Sequence, residues 1–184
     1  HPTSCGWPVP TVDVQLRRDD GSEADIGEPG ELWMRSAGVM QGYWNKPDET
    51  RHALRNGWLH SGDIGTMDDE GYVFIVDRVK DMINVSGFKV WPAEVEGFLY
   101  KHPAIQEVAV YGQAHPEKGE MVVAAIVLRE GAKATGEEII AYCRNHMAAY
   151  KAPARVDFVP ELPKSATGKI LAINYESPAA CAAT

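Results

Sequence analysis

Apolar and polar residues alternate along short stretches of the first eighty residues, which is typical of half-buried β-strands. Strands are predicted over Thr11–Arg17, Glu31–Arg35 and Tyr72–Val76. The last of these follows the turn signal Asp69–Gly71 and so favours a hairpin arm. A short helix is predicted from Asp48 to Leu54. This part of the chain is therefore predicted to be rich in β-structure.

The pattern changes after residues 77–81, where a domain boundary is predicted. Pro92 opens a predicted helix, because proline is well tolerated in the first helical turn. Thr135 and Glu138 have the spacing of a capping box, which predicts the start of a second helix. Strands are predicted over Val108–Tyr111, Met121–Leu128 and Arg155–Val159. The resulting order, β-α-β-β-α-β, predicts a small α/β domain of about 90 residues.

Composition excludes several classes of function. The chain has 184 residues, a net charge of −8 and a pI near 5.2, which argues against binding to nucleic acid or to an anionic membrane. No apolar stretch is long enough to span a bilayer. Cys5, Cys143 and Cys181 form no CxxC pair, which fits reduced thiols in a cytoplasmic protein. The histidines lack metal-ligand spacing, so no metal site is predicted.

The segment Pro160–Lys169 is the strongest candidate for chemistry. Two prolines restrict its backbone, Thr167-Gly168 allows a tight turn, and Lys169 stands at the tip. A lysine presented in this way suits contact with a reacting phosphate or carboxylate. It is not a nucleotide-binding P-loop, because Ile170 follows the lysine where serine or threonine is needed. An ordinary solvated lysine on a surface turn is the alternative.

Three further positions have a functional and a structural interpretation. Asp63, after a predicted tight Ser61-Gly62 turn, could accept two hydrogen bonds from vicinal ribose hydroxyls, or could be an ordinary turn acid. Arg78 ends a strand at the predicted boundary and could face a crevice, or could form a surface ion pair. Gly87 allows close backbone approach to a ligand, and a hairpin turn explains it equally well.

Taken in order along the chain, five segments form one recurring set of motifs. They are Gly30–Tyr43, His60–Asp63, Gly71–Arg78, Gly87–Glu96 and Pro163–Lys169. Their order and spacing resemble the carboxy-terminal motifs of adenylate-forming acyl-CoA synthetases, a superfamily that also includes beetle luciferases and the adenylation domains of peptide synthetases. The resemblance covers about Thr3 to Leu171, which is nearly the whole chain.

The resemblance implies an α+β fold in two domains. Residues 1–79 would form the distorted, β-barrel-like end of the family's large domain, residues 80–172 its small mobile carboxy-terminal domain, and residues 173–184 an atypical tail. The family's Ser/Thr/Gly-rich phosphate loop and its aromatic-Gly-x-Thr-Glu motif do not occur in this sequence. The chain is therefore expected to be the last third of a synthetase and to be inactive by itself.

The resemblance also implies a reaction and its site residues. Such an enzyme joins a carboxylic acid to ATP, releases pyrophosphate, and then transfers the acyl group from AMP to coenzyme A. Asp63 and Arg78 would bind the ribose hydroxyls of the adenylate. Lys169 would contact the carboxylate and the α-phosphate, and a lysine acetyltransferase could switch the enzyme off at this residue. Mg²⁺ would accompany ATP, with its ligands outside this chain.

Three other residues receive roles from the same resemblance. Lys80 falls on the family's hinge, where the small domain rotates between the two half-reactions. Gly87 would line the pantetheine tunnel, and Lys89 would meet a phosphate of coenzyme A. The motifs look most like those of bacterial medium- or long-chain fatty acyl-CoA ligases. An aryl-acid CoA ligase and a non-catalytic adenylate- or CoA-binding module are the alternatives, and a piece of a peptide synthetase is disfavoured because no carrier-protein serine motif follows Leu171.

Overall fold

The computed structural model describes residues 1–167 and residue 170. Two compact units divide the chain, one formed by His1–Lys80 and the other beginning at Asp81. Each has its own sheet and its own buried core. The two are therefore described separately.

The first unit is built on a five-stranded antiparallel sheet, with one short helix, α1, at Pro47–Ala53. The strands are β1 (Asp13–Arg17), β2 (Gly30–Arg35), β3 (Leu54–Arg55), β4 (Trp58–Met67) and β5 (Val73–Arg78). Their order is β1-β2-β4-β3, and β5 also pairs with β4. The sheet is curled like part of a barrel, as expected for the β-rich part of the chain.

Alternation of side chains explains the core of this sheet. Leu16, Leu32 and Val73 are buried and pack together, while the residues on either side of each along the chain are only half-buried. A single long strand, β4, holds the arrangement together because it pairs with three others. The sequence analysis did not predict β4 as a strand. Its glycines at positions 62 and 65 hid the alternating pattern.

The second unit has a sheet with two helices. Its elements are β6 (Ile83–Val85), β7 (Phe88–Val90), α2 (Pro92–Leu99), β8 (Ile105–His115), β9 (Gly119–Leu128), α3 (Gly136–Arg144) and β10 (Arg155–Phe158). β9 lies at the centre: β8 runs antiparallel to it on one side, and β10 parallel to it on the other. The predicted strands and helices are confirmed, and the order gains one strand because β6 and β7 form a hairpin.

Both faces of this second sheet are covered. The helix side buries a large apolar cluster that includes Val95 and Leu99 of α2 and Ile139 and Cys143 of α3. On the opposite face, Leu162 packs on the small side chains of Ala109 in β8 and Ala125 in β9 and is only 3% exposed. The chain that follows β10 therefore returns across the sheet and is fixed there by apolar burial.

The predicted capping box at the start of α3 is present. The Thr135 hydroxyl accepts a hydrogen bond from the Glu138 N–H at 3.2 Å, and a Glu138 carboxylate oxygen accepts one from the Thr135 N–H at 2.7 Å. The latter bond lowers the pKa of Glu138. A lowered pKa means that the carboxylate stabilises the folded state above its ordinary pKa and loses this contribution as the pH falls.

We predict that Thr135→Ala lowers the free energy of unfolding by about 1 kcal/mol, because it removes the acceptor that caps α3. Thr135→Ser keeps the hydroxyl and serves as the matched control. Urea unfolding of the two variants, followed by circular dichroism, measures the difference. Equal stability of Thr135→Ala and Thr135→Ser would show that the cap contributes nothing.

Candidate functional site

Asp63 and Arg78 lie directly opposite each other on neighbouring strands. They are register partners in the antiparallel pairing of β4 with β5, and the Arg78 Nε is 3.6 Å from the Asp63 Oδ1. Both side chains reach solvent, with 37% of Asp63 and 58% of Arg78 exposed. A carboxylate and a guanidinium placed in this way present both acceptors and donors to a polar ligand.

Asp63 belongs to a bulge in β4. In the pairing with β2, Glu31 faces Ile64 and Trp33 faces His60, so the three residues Ser61–Asp63 lie opposite the single residue Leu32. The sequence analysis predicted a tight Ser61-Gly62 turn at this position. That prediction was wrong, because Ser61 and Gly62 form no turn between two elements. They lie within β4 as part of a bulge, which bends the strand.

Gly62 and Ser61 shape the bulge locally. Gly62 has a φ of +73°, a conformation that residues with a side chain seldom adopt. The N–H of Asp63 donates to the Ser61 hydroxyl oxygen at 3.0 Å, a local bond of the kind that serine makes in turns. The motif therefore encodes a strand distortion that sets the direction of Asp63.

A second bulge lies on β5, next to Arg78. Ile64 faces Asp77 and Gly65 faces Ile75, so Val76 is an extra residue in this strand. The Arg78 N–H then donates to the Asp77 carboxylate at 2.7 Å. Bulges often redirect side chains at functional sites. Here one bulge contains Asp63, and the other lies two residues before Arg78.

Sequence reasoning missed a polar cluster behind the bulge, formed by Glu31, Trp33, Arg55 and His60. The Trp33 indole N–H donates to Glu31 Oε2 at 2.9 Å, and the Gly62 N–H donates to Glu31 Oε1 at 3.3 Å. The only available signal was the position of Glu31 and His60 within the quoted motifs. A contact between positions 31 apart leaves no trace in local periodicity.

His60 is neutral in this cluster. Its Nδ1 lies 2.8 Å from an Arg55 guanidinium nitrogen, which can only donate, so this ring nitrogen must accept. Glu31 Oε2, at 3.5 Å from the same Nδ1, is therefore a neighbour and not a hydrogen-bond partner. Burial, followed by the charge of Arg55, lowers the pKa of His60, and Glu31 opposes this shift.

Gly87 and Lys89 lie on the β6–β7 hairpin. Ser86 and Gly87 both have positive φ, at 53° and 88°, as a two-residue type I′ turn requires. The Gly87 N–H donates to the Asn84 side chain at 2.9 Å, and Phe88 stacks on Tyr150 with ring centroids 4.7 Å apart. The hairpin interpretation of Gly87 is correct, and this exposed tip leaves room for a ligand role as well.

Lys80 lies in a single 3₁₀ turn, Val79–Asp81, and is exposed. It is the last residue of the first unit.

Lys169 and Gly168 lie outside the described residues, but the chain on either side is well anchored. Leu162 is buried against Ala109 and Ala125. The Lys164 Nζ is 2.6 Å from a Glu107 carboxylate oxygen, and Lys164 forms an isolated antiparallel bridge with Ile170. Ile170 also packs on the same apolar patch.

Within the described part of the chain, no helix is long and apolar enough to cross a membrane. The same residues contain no group of three or more His, Cys, Asp or Glu side chains that could hold a metal ion.

Comparison with known proteins gives two family matches. Residues 1–44 match the AMP-binding enzyme family, and residues 94–169 match the AMP-binding enzyme C-terminal domain. A long-chain-fatty-acid–CoA ligase of Yersinia pestis is 49% identical over 91% of this chain, and a feruloyl-CoA synthase of an Amycolatopsis species is 42% identical over 91%. The chain spans 30% and 34% of these two relatives, about a third of their length.

The fold also matches a solved adenylate-forming enzyme. The o-succinylbenzoate CoA synthetase of Bacillus subtilis, in complex with its acyl-adenylate intermediate, superimposes with a TM-score of 0.84 at 33% identity. The match covers 94% of this chain and 35% of the synthetase. Another structure of that synthetase contains ATP and a magnesium ion. With both family models matched in order and the fold shared, this chain belongs to the AMP-binding family of adenylate-forming enzymes.

Proposed function

We propose that the whole protein that carries this chain is an ATP-dependent acyl-CoA ligase. It joins a carboxylic acid to AMP with release of pyrophosphate, and then transfers the acyl group to coenzyme A with release of AMP. The observation that carries the proposal is the exposed Asp63–Arg78 pair, held by two strand bulges in a chain whose relatives are CoA ligases. Its acceptors and donors suit a ribose diol.

In this proposal Asp63 accepts hydrogen bonds from the two ribose hydroxyls of ATP or of the adenylate, and Arg78 donates to the same sugar. The pair fits this task because both side chains reach solvent and an Asp63 oxygen can accept more than one bond. Magnesium is proposed to accompany ATP, as it does in one structure of the Bacillus subtilis synthetase. Its protein ligands are proposed to lie outside this chain.

Lys169 is proposed to offset the negative charge that develops as the acid oxygen attacks the α-phosphorus. Support comes from the anchored flanks of its segment, since Leu162, Lys164 and Ile170 are each tied to the second sheet. Acetylation would remove the charge of Lys169. That the residue is a target of an acetyltransferase remains a prediction from the sequence alone.

Lys80 is proposed as the hinge at which the small domain rotates between the two half-reactions. It is exposed, lies in a single short turn and is the last residue of the first unit. Gly87 and Lys89 are proposed to meet coenzyme A in the thioester step. The open space at the Gly87 tip, where an added Cβ would meet no atom within 4 Å, is consistent with close approach of a narrow ligand.

The acyl substrate is proposed to be a medium- or long-chain fatty acid, following the fatty-acid–CoA ligase relative at 49% identity. An aryl acid is the second candidate, because a feruloyl-CoA synthase is 42% identical over the same share of the chain. We predict acid-dependent ATP–pyrophosphate exchange and thioester formation by the whole protein, at least tenfold faster with dodecanoate than with ferulate. The reverse preference would select the aryl-acid ligase.

A binding module without turnover is the remaining alternative. It would bind AMP in calorimetry but exchange no pyrophosphate with any acid tested. That result would reject the proposed ligase.

Asp63→Asn and Arg78→Lys are predicted to raise the KM for ATP about 10- to 100-fold, because each weakens hydrogen bonds that involve a charged group. Asp13 and Arg35 provide a matched control pair. They are also cross-strand register partners in the same sheet, with an exposed ion pair at 2.8 Å. Asp13→Asn and Arg35→Lys should leave the KM for ATP within twofold. Similar effects of both sets of variants would contradict a ribose site.

Lys169→Ala is predicted to slow adenylate formation about 10²–10³-fold, as loss of one transition-state electrostatic contact usually does. Thioester formation from preformed acyl-adenylate should be much less affected. Lys164→Ala, which removes only a partly exposed ion pair with Glu107, is the control and should change either rate little. An equal loss in both half-reactions for Lys169→Ala would point to a structural role.

A further inference from the structure

Glu31 has an unusual position for a strand glutamate. Its side chain is only 23% exposed, and its two carboxylate oxygens are directed at different partners. One accepts from the Trp33 indole and the other from the backbone N–H of Gly62. Gly62 immediately precedes Asp63, the residue proposed to bind the ribose. The Glu31 carboxylate on β2 therefore contacts the part of β4 that sets the direction of the Asp63 side chain.

The bulge explains why such a contact is needed. Ser61–Asp63 face the single residue Leu32, so the regular ladder cannot supply a backbone acceptor for each of these N–H groups. Two side chains accept from them instead: the Ser61 hydroxyl from Asp63, and Glu31 from Gly62. A half-buried N–H left without an acceptor destabilises the conformation that exposes it.

Two aromatic side chains, Trp33 and His60, lie next to the Glu31 carboxylate. The Trp33 ring lies 3.9 Å from the His60 ring, and the His60 side chain is 6% exposed. Arg55 occupies His60 Nδ1, so Glu31 has no competing hydrogen bond to that nitrogen. Its oxygens are thus directed to Trp33 and Gly62.

We infer that Glu31 is a positioning residue for nucleotide binding, which holds the Gly62 bulge so that Asp63 points at the ribose. This inference rests on the proposed function and names a residue that acts through Asp63. In this inference Glu31 acts on the nucleotide through Gly62 and Asp63 and not by contact with it. Its loss therefore weakens binding of the nucleotide more than it slows the chemical step at saturating ATP.

The test uses the whole protein and two variants, Glu31→Ala and Glu31→Gln. Glu31→Ala should raise both the Kd for AMP and the KM for ATP about tenfold, with kcat changed less than threefold. Glu31→Gln keeps a carbonyl oxygen that can accept from Gly62, and should recover most of the affinity. The Kd is measured by calorimetry with AMP, and KM and kcat by pyrophosphate exchange.

A double-mutant cycle tests whether Glu31 acts through Asp63. In an Asp63→Asn background, Glu31→Ala should change the Kd by less than twofold, because the side chain that it positions is already impaired. A full additional loss in that background would overturn the inference. Thr135→Ala, which loses stability in the other unit, is the control for general destabilisation and should bind AMP like the wild type.

The outcomes separate this inference from the proposed function. If the wild type binds no AMP and exchanges no pyrophosphate, both fall together. If the wild type is active and Glu31→Ala binds AMP equally well, the inference alone is overturned.

Discussion

The pairing of β4 with three other strands is the constraint on which the first unit depends. One edge of β4 must match β2, while the other is shared by β3 near its start and β5 near its end. A regular ten-residue strand would satisfy these partners with an even ladder. This strand instead carries a bulge at Ser61–Asp63 and lies next to another at Val76. Both irregularities lie at or next to the residues that we propose bind the nucleotide. Backbone strain and irregular strand pairing are common at functional sites.

The sequence predicted the elements well where a local pattern determines them. The capping box of Thr135 and Glu138, the helix that begins at Pro92 and the apolar strand β9 are all confirmed, because each depends on contacts within a few residues or on burial of one continuous run. Strand β4 was missed because its glycines and its bulge break the two-residue period. A strand that pairs irregularly with several partners lacks the regular alternation of apolar and polar residues, so a local sequence pattern does not predict it.

The candidate site was predictable only in part. Asp63 and Arg78 were selected through a family resemblance, and nothing in the local sequence states that they are cross-strand neighbours. Glu31 and Arg55 were not selected at all, since their contacts with Gly62 and His60 depend on how distant strands meet. Residues that support a binding site are harder to find from sequence than the residues that bind the ligand, because their contacts form only when distant strands meet in the folded protein.

The double covering of the second sheet has a consequence for how that unit is made. Ala109 and Ala125 are buried, and Leu162 from the segment after β10 packs on them. During synthesis the helices α2 and α3 are available before that segment leaves the ribosome, so the face of the sheet around these alanines is uncovered for a time. A nascent chain stopped before Leu162 would lack this cover over an apolar part of the sheet, and exposed apolar surface promotes aggregation. The segment that leads to the proposed catalytic lysine thus also serves as the protective cover of its own domain.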